Sequence, residues 1–286
     1  MNKSVSSSDR RLLEGVLVLD LTQYLAGPFC TRLLNDMGAE VVKVEAPPYG
    51  DGARYAPYMR QGYSGYFIQN NCGKKSICLD LKKDEGQAVF LKLISRADVC
   101  VDNFAPGVMA RLGLDFESLS AINPRLIMCS ISGFGQYGPW SKKPGFAAAA
   151  HALSGLMWVS GRSKGPDAPP VAPGAAFGDT GASLHAFGAI CAALYRREKD
   201  GQGEYIDIAL LDVFFFNDTA TTEIYTMSRG EDDSAILSSV LAGRNGHATL
   251  AFGTSDKEWR KLARVIDRPA LIEDEGFKTL NDRMIN

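Results

Sequence analysis

The sequence is poor in histidine and lacks closely paired cysteines, which limits the metal and redox chemistry open to it. Its 286 residues contain three histidines and six cysteines, and no two cysteines form a C-x-x-C pair. Structural zinc sites need several such ligands at close spacing, so we expect no bound transition metal. We expect the thiols to be reduced and buried, since several lie inside apolar runs. The cysteines are Cys30, Cys72, Cys78, Cys100, Cys129 and Cys191.

Long apolar runs and a surplus of either charge are also missing. No stretch approaches the ~18 apolar residues that a membrane-spanning helix requires, and the polar, serine-rich start at 1–11 has no apolar centre of a signal peptide. Thirty-one basic residues against thirty-three acidic ones leave a net charge of −2, which argues against a nucleic-acid or polybasic membrane surface. We therefore expect a cytoplasmic protein with neither a nucleic-acid nor a membrane partner.

What the chain does contain is a regular alternation of strand-like and helix-like segments. Short apolar runs alternate with segments that carry apolar residues at helical spacing. This alternation predicts an α/β fold with a doubly wound, mainly parallel, Rossmann-like sheet. The predicted strands are 16–21, 41–44, 76–81, 99–103 and 126–132, and the predicted helices are 28–37, 84–95, 107–112 and 116–122.

The loops after these strands are the expected ligand-binding region, because doubly wound sheets bind ligands beyond the carboxyl ends of their strands. These loops are 24–28, 103–107 and 133–139. The first loop lacks G-x-G-x-x-G, and the chain contains neither a P-loop sequence nor G-x-S-x-G, which disfavours dinucleotide, P-loop and serine-hydrolase chemistry. The glycine-rich segment 132–139 fits either backbone contacts to a ligand or an ordinary flexible loop.

Asp179 is the best candidate for catalysis among the residues considered alone. It opens a segment of small residues at 178–183, where we predict that it is the N-cap of a helix, kept ionised by unpaired N–H groups and the helix dipole. Aspartate is also a common structural cap, so its position alone favours capping. Segment 147–158 predicts another tightly packed helix, and His151 and His185 fit supporting or core positions better than catalysis.

A series of sequence blocks resembles family III coenzyme A transferases, also called the formyl-CoA transferase, carnitine dehydratase-like or CaiB/BaiF family. Together the blocks extend from residue 13 to residue 213, and their number and order make the resemblance specific. The blocks are 13–28, 38–45, 71–82, 97–107, 119–125, 132–135, 154–157, 178–179 and 201–212.

The resemblance implies the substrate, the mechanism and the residues of a site. Asp179 matches the catalytic aspartate of the family, which forms a mixed anhydride with the acyl group and then an aspartyl-CoA thioester. The implied partners are an acyl-CoA and a free carboxylic acid, with no prosthetic group, and the intact family forms an interlocked homodimer. The residues implied in CoA binding are Leu25, Ala26, Leu79, Asp80, Leu81, Lys82, Asn103, Phe104, Ala105 and Arg111.

Two alternatives to a transferase remain at this point. Some relatives are 2-methylacyl-CoA racemases or epimerases, but that chemistry uses a histidine where this chain has Gly145 and Phe146, so a transferase is favoured. Ala147 replaces an acidic residue of many members, and Ala46 replaces an arginine of some, which leaves the substrate open. The other alternative is an inactive CoA-binding fragment.

The resemblance breaks after residue 213, which defines the expected domain organisation. Residues 217–226 correspond to the translation of a common sequencing-library adapter, so we interpret 214–228 as an adapter-derived junction in a chimeric gene. A genuine threonine-rich segment is the other interpretation. We expect a large CoA-binding domain at 1–213 and the incomplete start of a smaller α/β domain at 229–286. Because relatives continue further, we expect this chain to be weakly active or misfolded as it stands.

Overall fold

A parallel β-sheet is the centre of the structure, a computed structural model that describes residues 11–56, 59–165 and 167–213. The strands of these residues are β1 (Leu17–Asp20), β2 (Glu40–Glu45), β3 (Met59–Arg60), β4 (Tyr63–Ser64), β5 (Lys75–Cys78), β6 (Val99–Asp102), β7 (Ile127–Ser132) and β8 (Glu204–Ala209). The helices are α1 (Ala26–Asp36), α2 (Gly65–Asn71), α3 (Asp84–Ile94), α4 (Val108–Arg111), α5 (Phe116–Ile122), α6 (Ala147–Leu153), α7 (Leu156–Arg162), α8 (Phe177–Asp200) and α9 (Leu210–Val213), and a 3₁₀ helix covers Gly52–Tyr55.

The order of the strands defines a Rossmann-like sheet. Six strands lie in the order β5-β2-β1-β6-β7-β8, every neighbouring pair is parallel, and β3 and β4 form a separate antiparallel pair. Val18 on β1 pairs with Val41 on one side and with Val99 on the other. The direction of strand addition therefore reverses between β1 and β6, and such a reversal opens a crevice for ligands at the carboxyl ends of the two strands. The predicted doubly wound α/β fold is confirmed.

Helices cover both faces of the sheet, which explains why the central strands β6 and β7 are buried along their whole length. On one face, α1 and α8 bury Leu34 and Ile190 against Val18 and the other strand residues that point to this side of the sheet. On the opposite face, α3 and α5 bury Phe90 and Leu119 against Leu19 and its neighbours. The core is thus divided into two layers by the sheet.

The predicted strands and helices up to residue 132 occur in the structure with shifted ends. The single helix predicted at 147–158 is wrong, because Gly155 has φ +83°, a left-handed conformation that ends α6 before α7 begins. The strand β8 and the elements between β2 and β5 had no predicted counterpart. The predicted junction 214–228 and the smaller domain 229–286 lie outside the described residues and stay predictions.

The cysteines correct another expectation. All six are free, but Cys72 and Cys78 are exposed rather than buried, because β5 is at the edge of the sheet and Cys72 follows the end of α2. Cys30 is buried on the face of α1 that packs against the sheet, as expected. Within the described ranges, none of the helices combines the length and the hydropathy needed to cross a bilayer.

A cluster of buried charges fixes the chain between β1 and α1. The Lys43 ammonium lies 3.1 Å from Asp51 Oδ2 and 3.9 Å from Asp20 Oδ2, and it donates a 2.6 Å hydrogen bond to the carbonyl of Thr22. Lys74 Nζ binds Asp20 at 2.9 Å. Burial alone would raise the pKa of Asp20, but the two ammonium groups and the hydrogen bonds from Thr22 and Lys74 hold it far below its usual range.

We expect Lys43→Met to destabilise the fold, because Asp51 and Asp20 would lose a buried cationic partner. Removing one member of a buried ion pair costs about 3–5 kcal/mol. The free energy of unfolding, measured by urea denaturation near pH 7, tests this expectation.

Lys75→Met is the matched control, since Lys75 is 69% exposed and pairs with the exposed Glu40 on the neighbouring strand. A surface pair of this kind contributes about 1 kcal/mol or less. Equal losses of stability in the two variants would contradict the role given to the buried cluster.

Candidate active site

Two loops meet where the strand order reverses. Asn103 directly follows β6, and its Oδ1 accepts a 2.8 Å hydrogen bond from the N–H of Gln23. Its Nδ2 donates a second 2.8 Å bond to the carbonyl of Gln23. This reciprocal pair ties the loop after β6 to the loop after β1. The implied CoA-binding residues Leu25 and Asn103 therefore lie on loops that contact each other.

The loop after β1 holds an unusual backbone conformation. Tyr24 has φ +63°, and its N–H donates a 3.0 Å hydrogen bond to Asp51 Oδ1. A Cβ at Gly52 would lie 2.3 Å from the Tyr24 hydroxyl oxygen, so a larger residue there would require the end of this ring to move. Left-handed residues other than glycine are uncommon and need surrounding contacts to hold them. Asp51 and Gly52 supply those contacts.

The loop leads directly into α1. Leu25 is the N-cap residue and contributes no side-chain hydrogen bond, and Ala26 is the first residue of the helix. The first-turn N–H groups of an α-helix have no partner within the helix and attract anions. The start of α1 is therefore suited to a polar or anionic part of a ligand.

A second group of implied CoA-binding residues is joined by Gln87 on α3. Its side-chain nitrogen donates to the carbonyls of Leu81 at 2.9 Å and Leu112 at 3.0 Å, which brings segment 79–82 beside the end of α4. Asp80 Oδ1 accepts a 3.1 Å bond from the N–H of Lys82. Lys82 and Arg111 are both exposed, as phosphate-binding side chains need to be.

The residues between these two groups have mixed exposure. Phe104 packs against the core layer that contains Leu19, and its N–H donates a 3.2 Å bond to Asp102 Oδ1. Ala105 is exposed, and its carbonyl accepts from the N–H of Val108 at 3.1 Å. Phe104 thus anchors the loop after β6 to the core, whereas Ala105 is accessible to a ligand.

Asp179 is the third residue of α8 rather than its N-cap residue. The N-cap is Ala176, the helix begins at Phe177, and Asp179 is in the first turn, so the predicted N-cap position is wrong. Burial raises the pKa of Asp179 to about 6, an effect that the sequence did not predict. At neutral pH the carboxylate is still mainly ionised, but burial makes it less stable in that form.

The first turn of α8 packs against the start of α1. The hydroxyl of Ser183, which is fully buried, lies 2.5 Å from the carbonyl oxygen of Ala26 and 2.7 Å from that of Asp179. These contacts bring Asp179 to the same region as the implied CoA-binding residue Ala26. No sequence pattern predicted this hydrogen bond, since serine is common in a helix of small residues.

Tyr66 on α2 is a residue of this region that the sequence analysis missed. Burial, followed by the negative charges of Asp179 and Asp51 and by Tyr24, raises the pKa of its phenol to about 12. The phenol is therefore protonated at neutral pH. A tyrosine in a short helix without a motif carries no sequence signal that would have identified it.

His151 and His185 have different surroundings. His151 is 5% exposed, and its Nε2 accepts a 2.7 Å hydrogen bond from the N–H of Gly178, the residue before Asp179. Burial lowers its pKa, and Nε2 is an acceptor, so the ring is neutral. His185 is exposed on α8 and lies 2.9 Å from the Gly181 carbonyl, so the core position considered for it is wrong.

The glycine-rich segment 132–139 forms one side of a separate cleft. Asp207 on β8 holds it, accepting a 2.8 Å bond from the N–H of Gln136. The cleft has a volume of about 190 Å³ and includes Phe134 and Trp140, whose rings pack edge to face at 5.5 Å. Among the residues described, no group of three or more histidine, cysteine or acidic side chains is arranged to hold a metal.

Comparison with known proteins identifies the family of the chain. The sequence profile of CoA-transferase family III matches residues 13–286. The acetyl-CoA:oxalate CoA-transferase of Acetobacter aceti is 37% identical over 295 residues, which cover 100% of this chain and 75% of that protein. The human succinyl-CoA:glutarate CoA-transferase is 36% identical over 282 residues, covering 96% of this chain and 64% of that protein. The chain therefore spans slightly less than two thirds of the human relative.

A solved structure shows the same fold. The crystal structure of a CaiB/BaiF family protein from Brucella suis superposes with a TM-score of 0.67 at 32% sequence identity, covering 96% of this chain and 75% of that one. The family profile extends over nearly the whole sequence, and the relatives share more than 30% identity with it. The chain belongs to CoA-transferase family III.

Proposed function

We propose that this chain transfers coenzyme A from an acyl-CoA thioester to a free carboxylic acid, with Asp179 as the covalent nucleophile. The observation that carries the proposal is the position of Asp179, a partly buried carboxylate in the first turn of α8, packed through Ser183 onto the start of α1. Membership in CoA-transferase family III supports the reaction type.

The first half of the reaction loads CoA onto the protein. An Asp179 oxygen attacks the thioester carbonyl carbon, the carbon–sulfur bond breaks, and the CoA thiolate leaves as a mixed anhydride forms. The thiolate then attacks the Asp179 carbonyl carbon of the anhydride and releases the first carboxylate. The product is an aspartyl-CoA thioester, which divides a difficult acyl transfer into easier steps.

The second half repeats these steps in reverse. The accepting carboxylate attacks the Asp179 carbonyl carbon, CoA thiolate leaves, and a second anhydride forms. Thiolate attack on the acceptor carbonyl carbon gives the new acyl-CoA and restores the Asp179 carboxylate. The nucleophile therefore has to be ionised, which fits a pKa of about 6 at neutral pH.

The two groups of implied CoA-binding residues give the thioester a place to lie. Ala26 is at the start of α1, where the positive end of the helix dipole suits a polar or anionic part of CoA, and it is joined to the first turn of α8 by Ser183. Lys82 and Arg111 are exposed cations suited to the phosphates. CoA would then extend from these cations across the crevice to Asp179.

The names of the relatives indicate which carboxylic acids to examine first. They describe transfer between succinyl-CoA and glutarate and between acetyl-CoA and oxalate. These acceptors are small dicarboxylic acids, and we propose the same chemical class for this chain. A panel of CoA esters and dicarboxylates, assayed by exchange of the CoA group, identifies the pair.

We expect Asp179→Ala to lower turnover by more than about 10³-fold, because no other group replaces a covalent nucleophile. CoA binding should persist, since the implied contacts lie on other loops. In the wild type, hydroxylamine added during turnover should convert Asp179 to its hydroxamate, detected by mass spectrometry. Full turnover in Asp179→Ala would reject the mechanism.

Asp200→Ala is the matched control for this experiment. Asp200 is an exposed aspartate at the other end of α8, where it pairs with Arg196 at 3.2 Å. Turnover should remain within about two-fold of wild type, as for an exposed residue far from the site.

Solvent isotope exchange at the α-carbon of the acyl group, without CoA transfer, would instead support the racemase alternative.

We also expect Asp179→Asn to be more stable than wild type above pH 6. Burial raises the folded-state pKa to about 6 from an ordinary value of 3.8. The folded protein therefore binds this proton more tightly than the unfolded one, and its stability falls as pH rises between these values. Asn does not titrate, so the variant should gain about 1–2 kcal/mol near pH 7.5, a range reduced for partial exposure.

Urea denaturation at several pH values measures this difference. The advantage of Asp179→Asn should decrease as pH falls below 6 and should be lost below pH 3.8, where both states of the wild type are protonated. A stability difference that does not change with pH would show that the Asp179 carboxyl does not titrate differently in the folded protein.

A further inference from the structure

The helix that carries Asp179 begins without a conventional cap. The N-cap residue of α8 is Ala176, which has no hydrogen-bonding side chain. The first-turn N–H groups of a helix need acceptors from elsewhere, since an unpaired buried N–H is costly. The acceptor for Gly178 comes from a different helix, because His151 Nε2 on α6 lies 2.7 Å from the Gly178 nitrogen.

The contact is close and shielded from water. His151 is 5% exposed, and Gly178 is buried. A Cβ added to Gly178 would lie 3.2 Å from His151 Nε2 and 3.3 Å from the Cα of Ala147. The imidazole therefore packs directly on the backbone of α8, and a larger residue at 178 would push α6 away from it.

The same turn is held from its other side by Ser183. Its hydroxyl lies 2.5 Å from the Ala26 carbonyl oxygen of α1 and 2.7 Å from the carbonyl oxygen of Asp179. Asp179 thus lies between two hydrogen bonds that tie α8 to other helices, from the Gly178 N–H to His151 on α6 and from the Ser183 hydroxyl to the Ala26 carbonyl on α1. The position of the Asp179 Cα and the direction of its Cα–Cβ bond are set by this turn.

We propose that His151 is a positioning residue for the transfer reaction, which orients Asp179 by accepting the Gly178 N–H hydrogen bond across helices. The proposal rests on the function assigned above to Asp179. His151 acts as a neutral acceptor and exchanges no proton with substrate. Since Nε2 is occupied by Gly178, the ring proton is on Nδ1.

The test compares His151→Leu with His151→Gln in the full chain. Leucine fills a similar volume without an acceptor, whereas the glutamine Oε1 reaches the position of the imidazole Nε2. We expect His151→Leu to lower kcat by about 10- to 100-fold, as for a buried donor that loses its acceptor. KM for acyl-CoA should change by less than about three-fold, because the implied CoA contacts lie on other loops.

Glutamine should restore the contact, so His151→Gln is expected to keep kcat within about three-fold of wild type. His151→Asn is a second comparison, because its shorter amide reaches the position of Nδ1 and leaves Gly178 unpaired, as leucine does. His185→Leu is the matched control, an exposed histidine on α8, and should behave as wild type. Wild-type kcat in His151→Leu, or equal losses in the leucine and glutamine variants, would overturn the proposal.

A measurement without substrate separates this proposal from the proposed function. Amide hydrogen exchange at Gly178, followed by NMR, should be slow in wild type and His151→Gln and at least about ten-fold faster in His151→Leu. Unchanged exchange in His151→Leu would overturn the contact whatever the activity. If the wild type transfers no CoA while this exchange pattern is observed, the proposed function fails but the hydrogen bond is confirmed. If His151→Leu does not fold, the comparison of glutamine with asparagine decides both readouts.

Discussion

Buried ion pairs near the carboxyl end of β1 determine the conformation of the loop between β1 and α1, which carries part of the candidate site. Lys43 lies between Asp20 and Asp51, and it binds the backbone of the loop directly through the Thr22 carbonyl. Because these groups have no access to water, each depends on the others as its partners. The left-handed conformation of Tyr24, whose N–H binds Asp51, is a consequence of this arrangement.

The candidate site consists of two parts, a pair of loops and the first turn of α8. The loops after β1 and β6, linked by Asn103, form a crevice that suits an extended ligand. The first turn of α8 brings a carboxylate whose pKa burial raises to about 6. Burial makes the ionised form less stable, as suits the proposed nucleophile, and a pKa of about 6 still leaves the carboxylate mainly ionised at neutral pH. Burial of the ionised Asp179 carboxylate is unfavourable. The hydrogen bonds of His151 and Ser183 hold in place the turn that carries it.

Much of the fold was predictable because its signals are local. The apolar runs around Val18 and Val99 predict strands buried on both faces, and their alternation with helices predicts a parallel sheet. The break between α6 and α7 was not predicted, since a glycine in an alanine-rich segment is compatible with a continuous helix until its φ is known. The resemblance indicated Asp179 and the loops as candidate site residues, and these stay predictions; it did not indicate Tyr66 or the hydrogen bond of His151.

The sequence by itself determined the family, the parallel α/β architecture and the choice of Asp179, because ordered blocks and periodic hydrophobicity are properties of neighbouring residues. Only the tertiary structure decided that Asp179 lies inside the first turn rather than at the cap, and that burial raises its pKa. It also decided that His151, 27 residues earlier than Gly178, caps α8. Solvation and hydrogen-bond partners depend on which distant segments pack together, and local sequence does not specify that packing.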